Sequence, residues 1–323
     1  MSKTSIEGQR PNDVRRHTFN GATMGTHYSA QCYAQADLDC ISVGAELESA
    51  VQAVDQEMSN WKANSDLTRL NKAGVDVWVP ISGNLAKVLV RATVIGRETD
   101  NAFNIGVGDL VDRSGFGPDC AGQFDVPKLL EQKPLKPIGQ VLEVDVAQSR
   151  ARKRAKVALD LCGIAKGFGV DELGRVMDRN GIKSWLVGID GELRARGTKP
   201  MGSSWALAIE RPEYDRRQAL AVIEIADVAI ATSGDYRHWT ESEGMRTSHT
   251  MDPRTGAPLK NSIASVTVLA DTCMDADAYA TALLVLGTEQ GIQLAREKQL
   301  GALFLVREAN ELRAIGTGCF ADG

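Results

Sequence analysis

The sequence predicts an α+β protein in which mixed or antiparallel sheets pack against helices. Segments with the three- and four-residue periodicity of helices and short segments of strand character both occur along the 323 residues. They do not alternate regularly, as the strands and helices of a doubly wound parallel sheet do. With 43% hydrophobic and 24% charged residues, the chain also has the composition of an ordinary globular protein.

Four segments have the pattern of amphipathic helices. The first, CISVGAELESAVQAVDQEMSNW, runs into Trp61. The second, NLAKVLVRATVIGRETD, follows Ser82, a residue type that is typical of an N-cap. The third, IAKGFGVDELGRVMDRNGI, is closed by Gly181. The longest is CMDADAYATALLVLGTEQGIQLAREK, where Thr272 and Asp275 resemble a helix cap.

Short apolar segments bounded by Gly, Pro and Asp predict the strands. They are SWLVGI, SWALAIE, ALAVIEIA, VAIATSG and, before the last helix, ASVTVLAD. Between about 117 and 157, prolines that include Pro127 indicate short strands and loops. We expect residues 1–17 to form a polar N-terminal segment and residues 18–323 a single domain, with two intertwined subdomains as the alternative.

The net charge of −5 and a sequence pI near 5.5 argue against a nucleic-acid partner, which needs clustered basic residues. The one dense basic run, RARKRAK at 150–156, is either a local anion patch or a solvated strand edge. Six cysteines without CxxC spacing indicate individual thiols, and no apolar segment reaches the length of a membrane span. We expect a cytoplasmic protein, or a periplasmic one if a leader has been removed.

Several polar or glycine-rich segments have more than one interpretation. NGATMGTHYSA (20–30) is either a strand entered through a tight turn or a backbone that approaches a ligand. Trp61, in a polar turn, either stacks on a planar ligand or lies in the core. LDLCGIAKGFGVD is either a phosphate site or a generic strand–turn–helix junction. The phosphate interpretation rests on Asp160 and Lys166 near a helix N-terminus, whose backbone N–H groups favour phosphate. Asp277 and Thr281 are four apart on a helix and suit Mg²⁺, although acidic residues here also stabilise the helix dipole.

The segment HTMDPRTG contains His249, one of four histidines in the chain. The imidazole can transfer a proton or contact a phosphate near neutral pH, although a lone histidine is usually structural. The following DPRTG predicts a turn with Pro253 at its first corner. Together, these segments suit an aromatic pyrophosphate that binds with Mg²⁺.

An ordered set of motifs resembles the FAD:protein FMN transferase family, the ApbE-like flavin transferases. The motifs are GATMGTHYSA, MSNWKANSDLTRLN, AFNIGVGDLVDRSGFG, LDLCGIAKGFGVDEL, WLVGIDGELRARG, IATSGDYRHW, HTMDPRTG and SVTVLADTCMDADAYATALLVLG, from about residue 18 to about 290. The resemblance implies an ApbE-like fold and a Mg²⁺-dependent reaction on FAD. In that reaction a threonine or serine hydroxyl of a partner flavoprotein receives FMN as a phosphoester, and AMP is released.

The resemblance also implies roles for individual residues. His249 falls on the histidine implicated in activity, and Trp61 occupies the place of a stacking tyrosine. The Mg²⁺ ligands would be the Gly163 carbonyl, Asp277 and Thr281. The residues that would contact FAD are Met24, Trp61, Ala102, Phe103, Asn104, Asp160, Lys166 and Met251.

Three positions depart from the family pattern. Asp109 stands where a proline is usual, Ser114 replaces a tryptophan, and Asp190 replaces a glycine of a Gly-Gly pair. Other functions therefore remain open beside transfer. An FAD pyrophosphatase would use water as the acceptor, and a non-catalytic FAD-binding protein would need no Mg²⁺. A scaffold with a decayed site is disfavoured by the presence of His249 and Lys166.

Overall fold

The computed structural model describes residues 13–118, 133–214, 216–236, 239–242, 245–309 and 311–321, with the backbone alone for 239–242 and 245–247. It confirms the α+β class, because helices pack against antiparallel sheets. The helices of the described residues are α1 Cys40–Met58, α2 Asp66–Lys72, α3 Gly83–Glu98, α4 Gly108–Arg113, α5 Ile138–Val141, α6 Ala165–Arg179 and α7 Cys273–Glu297.

One eight-stranded antiparallel sheet organises the molecule, in the order β1-β2-β6-β7-β10-β15-β16-β17. Its strands are β1 Val14–Thr23, β2 Thr26–Gln35, β6 Ser184–Ile189, β7 Glu192–Arg196, β10 Ala229–Gly234, β15 Ile263–Ala270, β16 Gly301–Glu308 and β17 Glu311–Thr317. Smaller sheets are formed by β3 Val79–Pro80, β4 Leu142–Asp145, β5 Arg150–Lys153, β8 Trp205–Glu210, β9 Ala219–Ile225, β11 Trp239–Ser242, β12 Met245–Ser248, β13 Met251–Asp252 and β14 Ala257–Pro258.

The two faces of the large sheet are covered differently. Helices α1, α6 and α7 contribute buried side chains to the apolar clusters on one face. The β8–β9 hairpin covers part of the other face, where Trp205 packs near Ile230. Within β10, Ala229 belongs to the helix-covered cluster and the next residue, Ile230, packs on the other face, because successive side chains of a strand point to opposite sides of the sheet. Helices α1, α6 and α7 therefore lie on the same side of the large sheet.

The predicted helix ends agree with the structure because each depends on local hydrogen bonds. Leu85 N–H donates to Ser82 Oγ at 3.0 Å, and Asp275 N–H donates to Thr272 Oγ1 at 3.2 Å. Gly181 has the left-handed φ of 70° that a C-terminal glycine provides. Helix α7 is interrupted at Gly287, where φ is 83°, and the apolar periodicity did not predict this break.

The amino-terminal part of the chain forms a hairpin. Residues 1–12 of the expected polar segment lie outside the described residues, and residues 14–17 belong to β1. A tight turn at Met24 and Gly25, both with positive φ, joins β1 to β2, as one interpretation of the 20–30 segment requires. Pro127 also lies outside the described part of the chain.

The basic run at 150–156 lies in and after β5, and its arginines are paired with acids. Arg150 Nε is 3.1 Å from Asp145 Oδ2, and Arg152 Nη2 is 2.8 Å from Glu143 Oε2. Both guanidinium groups also lie 4.4 Å from the centre of the Trp78 ring. These partners favour the strand-edge interpretation over an anion patch.

Five cysteines fall in the described residues, and all five are free thiols, which agrees with the spacing argument; Cys120 lies outside them. No helix in the described ranges is long and apolar enough to span a membrane.

The N-terminal ends of α6 and α7 lie unusually close together. The Gly167 N–H of α6 donates to Asp277 Oδ2 of α7 at 3.0 Å. In return, Asp171 of α6 accepts from the N–H groups of Cys273 and Met274 at the start of α7, both at 3.0 Å. A β-carbon at position 167 would lie 2.3 Å from the Cys273 carbonyl oxygen, so glycine is required for this approach.

We expect Gly167→Ala to lower the free energy of unfolding by about 1–3 kcal/mol, because the added methyl group forces the two helices apart. Urea denaturation monitored by circular dichroism would measure the loss. Gly83→Ala in the first turn of α3 is the matched control, since a β-carbon there meets no atom within 4 Å. Equal stability of the Gly167→Ala and Gly83→Ala proteins would contradict the close approach.

Candidate functional site

Several residues singled out in the sequence meet where α6 and α7 begin. Thr281 lies one turn after Asp277 on α7, and its Oγ1 is 3.1 Å from where a β-carbon of Gly163 would lie. Lys166 precedes Gly167, the residue that bonds to Asp277. Ser233 Oγ at the end of β10 is 2.9 Å from Thr281 Oγ1. The structure thus brings all three predicted metal ligands and Lys166 to one place.

Burial and neighbouring charges set the protonation of this group. Asp277 is 4% exposed, and burial together with the negative charge of Glu192 raises its pKa to about 7. Burial lowers the pKa of Lys166, but the nearby carboxylates of Glu192 and Asp277 outweigh that effect and raise it overall. The ammonium group is therefore charged throughout the physiological pH range.

Glu192 is a member of this group that the sequence reasoning missed. Its side chain is buried, and Oε1 lies 2.8 Å from Lys166 Nζ. Its other oxygen, Oε2, is buried and has no hydrogen-bond partner in the part of the chain that the structure describes. The one signal in the sequence is a glutamate at the start of a strand, directly after the Asp190–Gly191 turn, and such glutamates are usually exposed.

The charges and the donor atoms of this group suit a hard cation. Two buried acidic groups, Asp277 and Glu192, lie beside one ammonium group, and among the described residues Glu192 Oε2 has no hydrogen-bond partner, so a bound cation would stabilise the ionised form of both acids. Within the described residues there is no group of three or more His, Cys, Asp or Glu side chains that could hold a metal. Carboxylate, hydroxyl and carbonyl oxygens remain as donors, and Mg²⁺ accepts such partial oxygen shells.

Asp160 joins two loops beside this cluster. Its Oδ1 accepts from Cys162 N–H and its Oδ2 from Asn60 Nδ2, each at 2.8 Å. Burial raises the pKa of Asp160.

Trp61 follows Asn60 and is 64% exposed, so its side chain does not lie in the core. An exposed indole in an ordered turn is available for a planar ligand.

Two more predicted flavin contacts pack against the glycine-rich segments. The Phe103 ring lies 3.4 Å from where a β-carbon of Gly163 would be, and Ala102 beside it is buried. The Met24 methyl group lies 3.0 Å from the corresponding position of Gly169 on α6. Met24 is therefore held near the first turns of α6. Ala102 and Phe103 have little exposed surface.

The Asn104 amide is used within its own loop. Its Nδ2 donates to the Asn101 side chain at 2.8 Å and to the Lys136 carbonyl at 3.0 Å, while its Oδ1 accepts from Gly106 N–H at 2.7 Å. These bonds hold the loop that presents Phe103. The Asn104 amide therefore stabilises the conformation of this loop.

The HTMDPRTG segment is built around an internal ion pair. Arg254 Nη2 is 3.0 Å from Asp252 Oδ2, and Thr255 N–H donates to the Asp252 carbonyl at 3.2 Å, which confirms a turn with Pro253 at its first corner. Arg254 also donates to the Val285 carbonyl at 2.8 Å, one turn beyond Thr281. This arginine therefore anchors the segment to α7.

His249 and Met251 lie on the anchored segment. The His249 ring packs edge-on against Phe116, with 6.0 Å between ring centres. Met251 is buried in β13. Both residues are thus attached to α7 through Arg254, on a different loop from the Gly163 turn.

The three departures from the family pattern lie in different environments. Asp190 has a left-handed φ of 55°, and its Oδ2 is 3.7 Å from Lys166 Nζ, so this substitution adds an acid to the cluster itself. Asp109 lies in the first turn of α4. Ser114 is buried and donates to the Val111 carbonyl at 2.8 Å.

We expect Arg254→Ala to lower the free energy of unfolding by about 2 kcal/mol, because Asp252 then loses its charged partner and Val285 its donor. Chemical denaturation would measure this change. Arg313→Ala is the control, since its pair with Glu308 is exposed and should contribute less than about 1 kcal/mol. If both variants lose the same stability, Arg254 does not anchor the segment.

Comparisons with known proteins agree on one family. The sequence profile of the ApbE family matches residues 24–304. The FAD:protein FMN transferase of Vibrio cholerae (strain O395) is 34% identical over 304 residues, which span 94% of this chain and 91% of that protein. The FAD:protein FMN transferase of Escherichia coli K12 is 31% identical over 316 residues, 94% of this chain and 90% of that protein.

Solved structures give the same result for the fold. The flavin transferase ApbE from Vibrio cholerae superposes with a TM-score of 0.85 at 32% identity, covering 96% of this chain and 99% of that one. The apo form of the Pseudomonas stutzeri flavinyl transferase ApbE has a TM-score of 0.85 at 30% identity and covers 96% and 98% of the two chains.

Proposed function

The chain belongs to the ApbE family, and from this premise we propose that it is an FAD:protein FMN transferase. The enzyme transfers FMN from FAD to a threonine or serine hydroxyl of a partner flavoprotein. The observation that carries the proposal is the buried Asp277 together with the partly buried Thr281 and Gly163, beside Lys166. This group combines a carboxylate, a hydroxyl and a cation, as the cleavage of a pyrophosphate requires.

The proposed metal ligands are the Asp277 carboxylate, the Thr281 hydroxyl and the Gly163 carbonyl. When bound there, Mg²⁺ would neutralise pyrophosphate charge and make the phosphorus more open to attack. Lys166 adds a positive charge that binds a phosphate oxygen, and Glu192 holds its ammonium group at 2.8 Å.

The transfer exchanges one phosphorus–oxygen bond for another. The acceptor hydroxyl attacks the phosphorus on the riboflavin side of FAD, a phosphoester forms, the pyrophosphate bond breaks and AMP leaves. His249 accepts the hydroxyl proton or binds a phosphoryl oxygen. We propose that the exposed Trp61 ring stacks on the flavin, and that Met24, Ala102, Phe103, Asn104, Asp160 and Met251 line the remainder of the FAD site.

Two other functions use the same residues. In an FAD pyrophosphatase, water replaces the acceptor hydroxyl and the products are free FMN and AMP. A non-catalytic FAD-binding protein leaves FAD whole. The excess of buried carboxylate at Asp277 and Glu192 favours cleavage over storage, because a protein that only binds FAD does not need a cation at this position.

Incubation of the protein with FAD, Mg²⁺ and a flavoprotein domain that bears a candidate acceptor threonine tests the proposal. We expect in-gel flavin fluorescence of the acceptor and a mass gain equal to an FMN phosphoester, both lost without Mg²⁺. Conversion of FAD to free FMN and AMP, with no modification of any acceptor domain supplied, would indicate the pyrophosphatase. Intact FAD would indicate the binding protein.

We expect Asp277→Ala to abolish Mg²⁺-dependent FMN transfer and to weaken Mg²⁺ binding measured by titration calorimetry, while the protein stays folded. Asp275→Ala is the matched control, because Asp275 lies in the same helical turn but pairs with Arg91 at 2.7 Å. Transfer at the wild-type rate by the Asp277→Ala protein at low Mg²⁺ would rule out the proposed ligand.

We expect Trp61→Ala to weaken FAD binding by about two- to tenfold, since a stacked aromatic pair contributes about 0.5–1.5 kcal/mol beyond its buried area. Fluorescence titration with FAD would measure the affinity. Trp61→Tyr keeps an aromatic ring and should retain most of the binding. An unchanged affinity of the Trp61→Ala protein would show that the indole does not contact the flavin.

A further inference from the structure

The turn that carries Trp61 is held rigidly from within. Ser59 Oγ accepts from the N–H groups of Trp61 and Lys62, at 3.1 and 3.3 Å. The Ser59 carbonyl accepts from the hydroxyl groups of Ser65 and Thr68, at 2.6 and 3.2 Å. The exposed indole therefore stands on a loop whose backbone has little freedom.

One side chain of this turn reaches across to the glycine-rich segment. Asn60 Nδ2 donates to Asp160 Oδ2 at 2.8 Å, and the other oxygen of Asp160 accepts from Cys162 N–H, next to Gly163. A hydrogen bond to a buried carboxylate thus joins the turn of Trp61 to the turn that contains Gly163.

The orientation of the Asn60 amide is set by Asn71. The Asn71 side chain pairs with the backbone of Leu159, donating to its carbonyl at 2.9 Å and accepting from its N–H at 2.8 Å. Asn71 Nδ2 also lies 3.5 Å from Asn60 Oδ1. The oxygen of Asn60 therefore faces a donor, and its NH₂ group faces Asp160.

We propose that Asn60 is a positioning residue that fixes the separation between the Trp61 ring and the cluster of Gly163 and Lys166. The inference rests on the proposed function, in which one FAD molecule occupies both places. A ligand that spans two subsites binds more tightly when their separation is set in advance, because less freedom is lost on binding. Asn60 acts through Asp160 and Trp61 and needs no contact with FAD.

The test compares the whole ligand with its parts. We expect Asn60→Ala to weaken the binding of FAD by about tenfold, because FAD must then fix the separation of the two subsites on binding, and the hydrogen bond that previously fixed it contributes on that order. Riboflavin and ADP each occupy one subsite, so their affinities should change by less than about twofold. Titration calorimetry in the presence of Mg²⁺ measures all three ligands.

Two further variants separate the hydrogen bond from packing. Asn60→Leu has a similar size and shape but neither donor nor acceptor, so FAD binding should fall about as far as in Asn60→Ala. Asn64→Ala removes an exposed amide from the same turn and should bind FAD like the wild type. Hydrogen exchange should rise in segments 59–65 and 159–164 of the Asn60 variants and stay unchanged elsewhere.

The outcomes distinguish this inference from the proposed function. Wild-type FAD affinity in both Asn60 variants would overturn the inference. Equal losses of affinity for FAD, riboflavin and ADP would also overturn it, because they would indicate a general disruption of the site. FMN transfer by the wild-type protein is measured separately. If that transfer fails while the FAD-specific loss is present, the proposed function is wrong and the positioning role of Asn60 stands.

Discussion

The reciprocal capping of two helix N-termini is the constraint on which the candidate site depends. Asp171 of α6 accepts the first N–H groups of α7, and Asp277 of α7 accepts an N–H of α6. The bonds satisfy donors that would otherwise be buried without partners, and they bring two positive helix ends together. The charge of Lys166 interacts with Asp277 because these helix ends lie together.

This arrangement brings several acidic side chains close to one ammonium group. Lys166 is held between Glu192 at 2.8 Å and Asp190 at 3.7 Å, while Asp277 is buried near both Lys166 and Glu192. Asp190 adds a further acidic side chain to the cluster. A cation and a phosphate would together balance these charges, since the cation offsets the carboxylates and Lys166 offsets the phosphate.

Residues that act within one turn of the chain were predictable. The caps at Ser82 and Thr272 and the turn at Pro253 depend on neighbours no more than three residues away. The break of α7 at Gly287 was not predictable, because an apolar pattern continues across it. The eight ordered motifs pointed to the family, which the comparisons support over residues 24–304.

By itself, the sequence determined the α+β class, the ends of the main helices and the family, since periodicity, caps and ordered motifs are all properties of the chain read in one dimension. Only the tertiary structure showed that Glu192 is buried against Lys166, that Trp61 is exposed, and that Asn60 bonds to Asp160, one hundred residues away. Such pairings depend on how α1, α6, α7 and the sheet pack together, and that packing brings side chains from distant positions to the same place.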